Sequence, residues 1–168
     1  MTAPEPGQGA ALAIEVLSRL EERGETLAVA ESCTGGGLGS ILTAVPGASA
    51  AFIGGVIAYS DSVKLSLLGV DPSTLASHGA VSSECAQQMA DGVRTGLSVD
   101  WGLSITGIAG PEGGSPEKPV GTVWIGLAGP GQRFGEPFRF GGDREKVRRN
   151  AVSEALRLLV RSVETDDA

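Results

Sequence analysis

The sequence is poor in the residues from which many active centres are built. Its 168 residues include one histidine, His78, and two cysteines, Cys33 and Cys85. Two cysteines are too few for a disulfide framework. With one imidazole beside them, a zinc cluster lacks ligands. Basic charge is scarce as well: 13 Lys and Arg stand against 20 Asp and Glu, a net charge of −7. A whole-surface electrostatic grip on nucleic acid is therefore disfavoured. No apolar run approaches the roughly 18 residues that a membrane span needs. Residues 1–9 have neither the basic nor the apolar segment of a secretory signal. These absences predict a cytoplasmic domain with no metal, no cofactor and no membrane partner.

What remains is ordinary for a globular enzyme, at 41% hydrophobic and 20% charged residues. The length fits one domain, expected over residues 10–164, with 1–9 and 165–168 as flexible termini. Glycine stands out, with 26 residues. They cluster at 35–39, 107–114 and 126–142, where tight turns or a close ligand need them.

Apolar periods alternate between helical and extended. Ala13, Val16, Leu17 and Leu20 form a helical stripe that Gly24 stops. Thr26 to Ala30 reads as a buried strand, and Leu38, Ile41, Leu42 and Val45 as a second stripe. Phe52 to Tyr59 is a strand, followed by short helices from Asp61 and Pro72. Ser82 or Ser83 caps a helix with the stripe Cys85, Met89, Val93 and Leu97. Trp101 to Thr106 is a strand, and residues 107–119 are a Gly/Pro loop, either disordered or a binding wall. Val120 to Ala128 and Arg133 to Phe140 form a hairpin. Asp143 caps a final helix. About five strands with helices between them predict an α/β fold, a three-layer α/β/α sandwich with a mixed, mostly parallel sheet.

Four stretches could carry chemistry. In Glu31-Ser32-Cys33-Thr34-Gly35-Gly36, a strand ends and a helix begins. A hydroxyl there has free backbone N–H groups beside it as an oxyanion site, or else it is simply a helix cap. Cys33 is a rival nucleophile to Ser32. In Tyr59-Ser60-Asp61-Ser62-Val63-Lys64, a lysine sits among apolar neighbours. Burial of an amine disfavours its charged form and suits it to act as a base; the alternative is a solvated lysine near Asp61. Thr106, Gly107 and Gly110 lie where another strand opens into the long loop. In Gly142-Asp143-Arg144-Glu145-Lys146-Val147-Arg148-Arg149, Glu145 can pair with Arg149. Arg144 and Arg148 are like charges at i, i+4, which makes sense if an anion such as a phosphate lies between them. Ser115-Pro116-Glu117-Lys118 matches Ser-x-x-Lys, but the prolines prevent the helix that the motif needs. His78-Gly79 reads as a helix end.

These stretches, with Gly79-Ala80-Val81-Ser82 and Glu117-Lys118-Pro119-Val120-Gly121-Thr122-Val123, resemble in order the C-terminal domain of the CinA family, in its stand-alone nicotinamide-nucleotide amidase form. The resemblance runs from about residue 10 to residue 160. It implies hydrolysis of nicotinamide mononucleotide to nicotinate mononucleotide and ammonia, with Ser32 as nucleophile, Lys64 as general base and Tyr59 as a third member. It implies substrate contacts from Glu31, Cys33, Thr34, Gly35, Gly36, Thr106, Gly107, Gly110, Arg144 and Arg148. Asn150 departs from the family, where Gln is usual. A non-catalytic regulatory or protein-binding module of the same family, linked with competence and DNA damage, is the rival reading, and a different pyridine nucleotide is an alternative substrate. Base rates favour a homodimer or other homo-oligomer.

Overall fold

The computed structural model describes residues 7–166. Its elements run α1 (Gln8–Arg23), β1 (Leu27–Glu31), α2 (Gly37–Thr43), β2 (Phe52–Ile57), α3 (Asp61–Leu68), α4 (Pro72–His78), α5 (Ser83–Gly96), β3 (Trp101–Gly107), β4 (Thr122–Gly129), β5 (Gln132–Arg139) and α6 (Arg144–Asp166). The five strands lie in the order β2-β1-β3-β4-β5. β1 pairs parallel with β2 and β3, and β4 is antiparallel to both β3 and β5. The sheet is thus mixed, and β4 alone runs against the rest. Helices cover both faces, which gives the expected three layers. Among the described residues no helix is long and apolar enough to cross a membrane.

The two sheet faces differ in side-chain size, and this difference sets the depth of each layer. Leu27, Val29, Trp101, Leu103, Ile105, Ile125 and Leu127 are all buried on the face that meets α1 and α6. Burying each such side chain contributes about 1.5–3 kcal/mol. The opposite face carries Ala28, Ala30, Gly102, Ser104 and Gly126. Small residues there let α5 lie almost on the backbone of the sheet. A Cβ built on Gly102 would fall 2.1 Å from the Ala90 carbonyl oxygen, and one on Gly126 would fall 2.1 Å from that of Ala86. Ser104 Oγ donates to the Ala86 carbonyl at 2.6 Å, pinning the helix at that height.

Caps follow the sequence. Ser82 Oγ accepts from Cys85 N at 3.2 Å, and Asp143 Oδ1 accepts from Lys146 N at 2.9 Å. Gly24 ends α1 in a left-handed conformation, φ 66°. Some boundaries differ from expectation. α5 stops at Gly96, and Leu97, expected as the last member of its stripe, is 39% exposed. β2 ends at Ile57, two residues before Tyr59, and β4 starts at Thr122. α1 begins at Gln8 and α6 continues to Asp166, inside stretches expected to fray. The rest of those stretches, residues 1–6 and 167–168, lies outside the described residues. The 107–119 loop is ordered. It folds on itself where Ser115 N donates to the Lys118 carbonyl at 2.9 Å and Ser115 Oγ accepts from Lys118 N at 3.0 Å.

Candidate active site

β1, β2 and β3 point their carboxyl ends to one edge, the place where open α/β sheets hold ligands. Ser32 follows β1 directly, and its N–H continues the ladder to the Ile105 carbonyl at 2.9 Å. Lys64 lies on α3, the helix after β2. Ser60 caps that helix by accepting from Val63 N at 3.4 Å. Helical side chains lean back toward the N-terminus, so Lys64 reaches back over the turn that precedes it. Its Nζ donates to the Ala58 carbonyl at 2.9 Å and more weakly to that of Tyr59 at 3.4 Å, and it stands 3.3 Å from Ser32 Oγ. Asp61 Oδ1 stands 3.8 Å from it. Lys64 is 1% exposed and Ser32 is 8% exposed. The burial expected as partial is therefore complete.

Ser32 and Lys64 open into a cavity of about 280 Å³. Cys33, Tyr59, Thr106, Gly107, Gly110 and Arg144, all expected at the site, line it. So do Asp61 of the Tyr59–Lys64 stretch, Ala80 and Val81, and Ile108, Ala109, Glu112 and Gly113 of the loop expected as either disordered or a binding wall. Ala80 and Val81 carry no chemical signal, and the Thr106 hydroxyl brings them in by donating to the Ala80 carbonyl at 2.9 Å. Arg144 bridges the mouth: Nη1 donates to the Gly110 carbonyl at 2.8 Å and Nη2 donates to the Tyr59 hydroxyl at 3.3 Å.

Other expected site residues are placed differently. Glu31 is buried and does not line the cavity. Its Oε1 accepts from Thr34 Oγ1 at 2.6 Å and Leu38 N at 2.8 Å, and its Oε2 accepts from Gly39 N at 3.0 Å. α2 has Gly36 at its N-cap and no side-chain cap of the usual kind. Glu31 does that work, a carboxylate on the exposed N–H groups of a helix start. Thr34 is therefore turned toward Glu31. Gly35 and Gly36 take φ of 57° and 105°, which the turn requires. The N–H of Gly35 is occupied by the Ser32 carbonyl at 3.1 Å. The N–H groups of Thr34 and Gly36 have no protein acceptor among the described residues, and that of Cys33 meets only its own thiol. An oxyanion site in this turn thus has to use those three and not Gly35.

The guanidinium groups of Arg144 and Arg148 lie on different partners. Arg148 turns to the far side of the turn, where Nε donates to the Cys33 carbonyl at 3.0 Å and Nη2 to the Thr34 carbonyl at 3.1 Å. Glu145 and Arg149 stand 4.0 Å apart, the bland pair that the spacing predicts. A second cavity of about 440 Å³, bordered by Thr34, Gly37, Ile41, Arg148 and Val152, lies behind the turn. Asn150 is buried in α6 and lines neither cavity.

Among the candidate nucleophiles, burial pushes the Cys33 thiol up to about 11, which leaves it protonated near neutral pH. The hydroxyl of Ser32 is the group in contact with an amine. His78 is half exposed, 3.7 Å from Glu84 and outside the cavity. Its carbonyl accepts from Lys118 Nζ at 2.6 Å, which takes that lysine away from Ser115. Tyr59 presents its backbone carbonyl to Lys64 and its hydroxyl to Arg144.

The model of one family, described as the CinA C-terminal domain, matches residues 9–163. A CinA-like protein from a Synechococcus species is 56% identical over 154 residues, 90% of this chain and 37% of that protein. One from an Anaeromyxobacter species is 54% identical over 144 residues, 86% of this chain and 35% of its own length. The chain thus spans just over a third of these relatives. A solved CinA superfamily protein from Klebsiella pneumoniae superposes with a TM-score of 0.90 at 39% identity, covering 94% of this chain and 98% of the other. A competence/damage inducible protein from Agrobacterium tumefaciens superposes with a TM-score of 0.90 at 36% identity, covering 95% and 98%.

Proposed function

The chain belongs to the CinA C-terminal domain family, and from that premise we propose that it is an amidohydrolase that converts nicotinamide mononucleotide to nicotinate mononucleotide and ammonia. The observation that carries the reading is the 3.3 Å contact between Ser32 Oγ and the buried Lys64 Nζ at the floor of a cavity. No imidazole lines the cavity, and the amine of Lys64 is the basic group in contact with that hydroxyl. A neutral amine has two hydrogens and one lone pair. The carbonyls of Ala58 and Tyr59 accept the two hydrogens. In the structure Nζ also donates to Ser32 Oγ; once that proton is shed, the lone pair faces Oγ and can take the Ser32 proton.

Lys64 takes that proton as Ser32 Oγ attacks the carboxamide carbon. The tetrahedral oxyanion faces the free N–H groups of the Cys33–Gly36 turn; one such donor is worth about 3–4 kcal/mol in acyl transfer. Collapse breaks the C–N bond, and Lys64 returns the proton to the departing nitrogen, which leaves as ammonia. Water, with its proton accepted by Lys64, then cleaves the acyl ester and releases the nucleotide acid. A cavity of about 280 Å³ is at the small end for a ligand site. It suits the pyridine ring with its carboxamide, and leaves the phosphate at the rim beside Arg144.

The test is ammonia release from nicotinamide mononucleotide by the wild type, Ser32→Ala and Lys64→Met. Loss of about 1000-fold or more in both variants, with unchanged melting, supports the pair. Wild-type rates in Ser32→Ala exclude Ser32 as the nucleophile. A wild type inert toward a panel of pyridine nucleotides points instead to a binding module.

A further inference from the structure

Arg148 resembles a phosphate ligand in the sequence, but its surroundings give it another task. It has no carboxylate partner among the described residues. Nε and Nη2 are spent on two consecutive carbonyls, those of Cys33 and Thr34, at 3.0 and 3.1 Å. A peptide unit is planar and trans, so its C=O and N–H point in opposite directions. Fixing the Cys33 carbonyl therefore fixes the direction of the Thr34 N–H, which points away from Arg148 and has no protein acceptor. Fixing the Thr34 carbonyl likewise orients the Gly35 N–H, which is bonded to the Ser32 carbonyl at 3.1 Å. A cation on a carbonyl also polarises that amide and strengthens its N–H as a donor.

Resting on the amidase reading, we propose that Arg148 is a positioning residue, which holds and polarises the Thr34 N–H beside Ser32 and does not bind the substrate phosphate. The two roles part cleanly in kinetics. A donor that acts on the oxyanion is felt in the transition state and so in kcat, whereas a ground-state phosphate contact is felt in KM.

The experiment compares wild type, Arg148→Met and Arg148→Lys. In Arg148→Met, kcat should fall about 10- to 100-fold with KM within about twofold. Arg148→Lys holds one carbonyl and not both, and should fall between the two. It also carries the test alone if the Met variant does not fold. A KM change larger than the kcat change overturns the proposal in favour of phosphate binding. NMR supplies a readout independent of the reaction. The amide resonances of Thr34 and Gly35 should move in the variants while those of the remote β4–β5 hairpin stay. Unmoved Thr34 and Gly35 amides overturn the proposal. If the wild type releases no ammonia, the amidase reading fails and the NMR arm alone decides whether Arg148 orders the turn.

Discussion

Gly126→Ala adds one methyl group at the tightest point between the sheet and α5. That carbon would lie 2.1 Å from the Ala86 carbonyl oxygen, 2.5 Å from its carbonyl carbon and 2.4 Å from Ser104 Oγ. Ordinary contact begins at about 3.4 Å, so α5 or the sheet has to retreat by about 1.3 Å. Neither obstacle on α5 is a flexible side-chain end, because both belong to its backbone. The retreat also stretches the 2.6 Å bond from Ser104 Oγ to Ala86. Overpacking of a dense interior costs about 1–3 kcal/mol, and a weakened buried hydrogen bond adds about 1 kcal/mol. The expected total is about 3 kcal/mol. At about 2–4 °C per kcal/mol for a chain of this size, Tm should fall by about 6–12 °C. Scanning calorimetry or circular dichroism measures it. Gly131→Ala is the control: Gly131 has φ 69° and nothing within 4 Å of the added carbon, so it carries only a local backbone cost of about 1–2 kcal/mol. If Gly126→Ala melts no lower than Gly131→Ala, the close approach of α5 does not limit stability and the reasoning fails.

Two further perturbations probe groups around the site. Glu31→Gln removes a buried carboxylate that accepts three hydrogen bonds and places an N–H donor against one of them; urea titration should show a loss of about 2–3 kcal/mol, together with reduced ammonia release. Burial raises both the Cys33 and Cys85 thiols to about 11 from an ordinary 9.0. Near pH 8 only about one thiol in a thousand is then a thiolate, so native protein should alkylate with iodoacetamide roughly 100-fold more slowly than urea-unfolded protein, as read by mass spectrometry. Because the folded state holds these protons more tightly than the unfolded chain, their contribution to stability is complete below pH 9 and declines as pH climbs toward 11. Urea midpoints at pH 8 and 10.5 check the sign.

The layers were legible in the sequence because the large apolar residues speak for themselves. Leu27, Val29, Leu103 and Ile105 mark strands, and Ala13, Val16, Leu17 and Leu20 mark a helix. The depth of the α5 layer was not legible, since Gly102, Ser104 and Gly126 look like weak strand residues until a helix is laid on them. In the site, Ser32 and Lys64 could be singled out from their places after successive strands. Glu31 could not be told from a ligand-facing acid, because its partners Leu38 and Gly39 contribute only backbone N–H groups, which leave no mark on residue choice. Arg144 and Arg148 suggested a common anion by their one-turn spacing. Their long side chains diverge around the 32–37 turn, and spacing along a helix fixes where a Cα sits, not where a guanidinium ends.

The hydroxyl at 32 meets an amine 32 residues later, and the turn beside it is held by a guanidinium 115 residues beyond Cys33. Contacts so far apart along the chain form only when the domain closes as a whole. A growing or proteolysed chain that ends before residue 148 would carry the serine and its lysine yet lack the clamp that squares the turn. Whatever chemistry the pocket performs would then arrive only with the last helix, and a truncated chain would hold the serine and lysine without it.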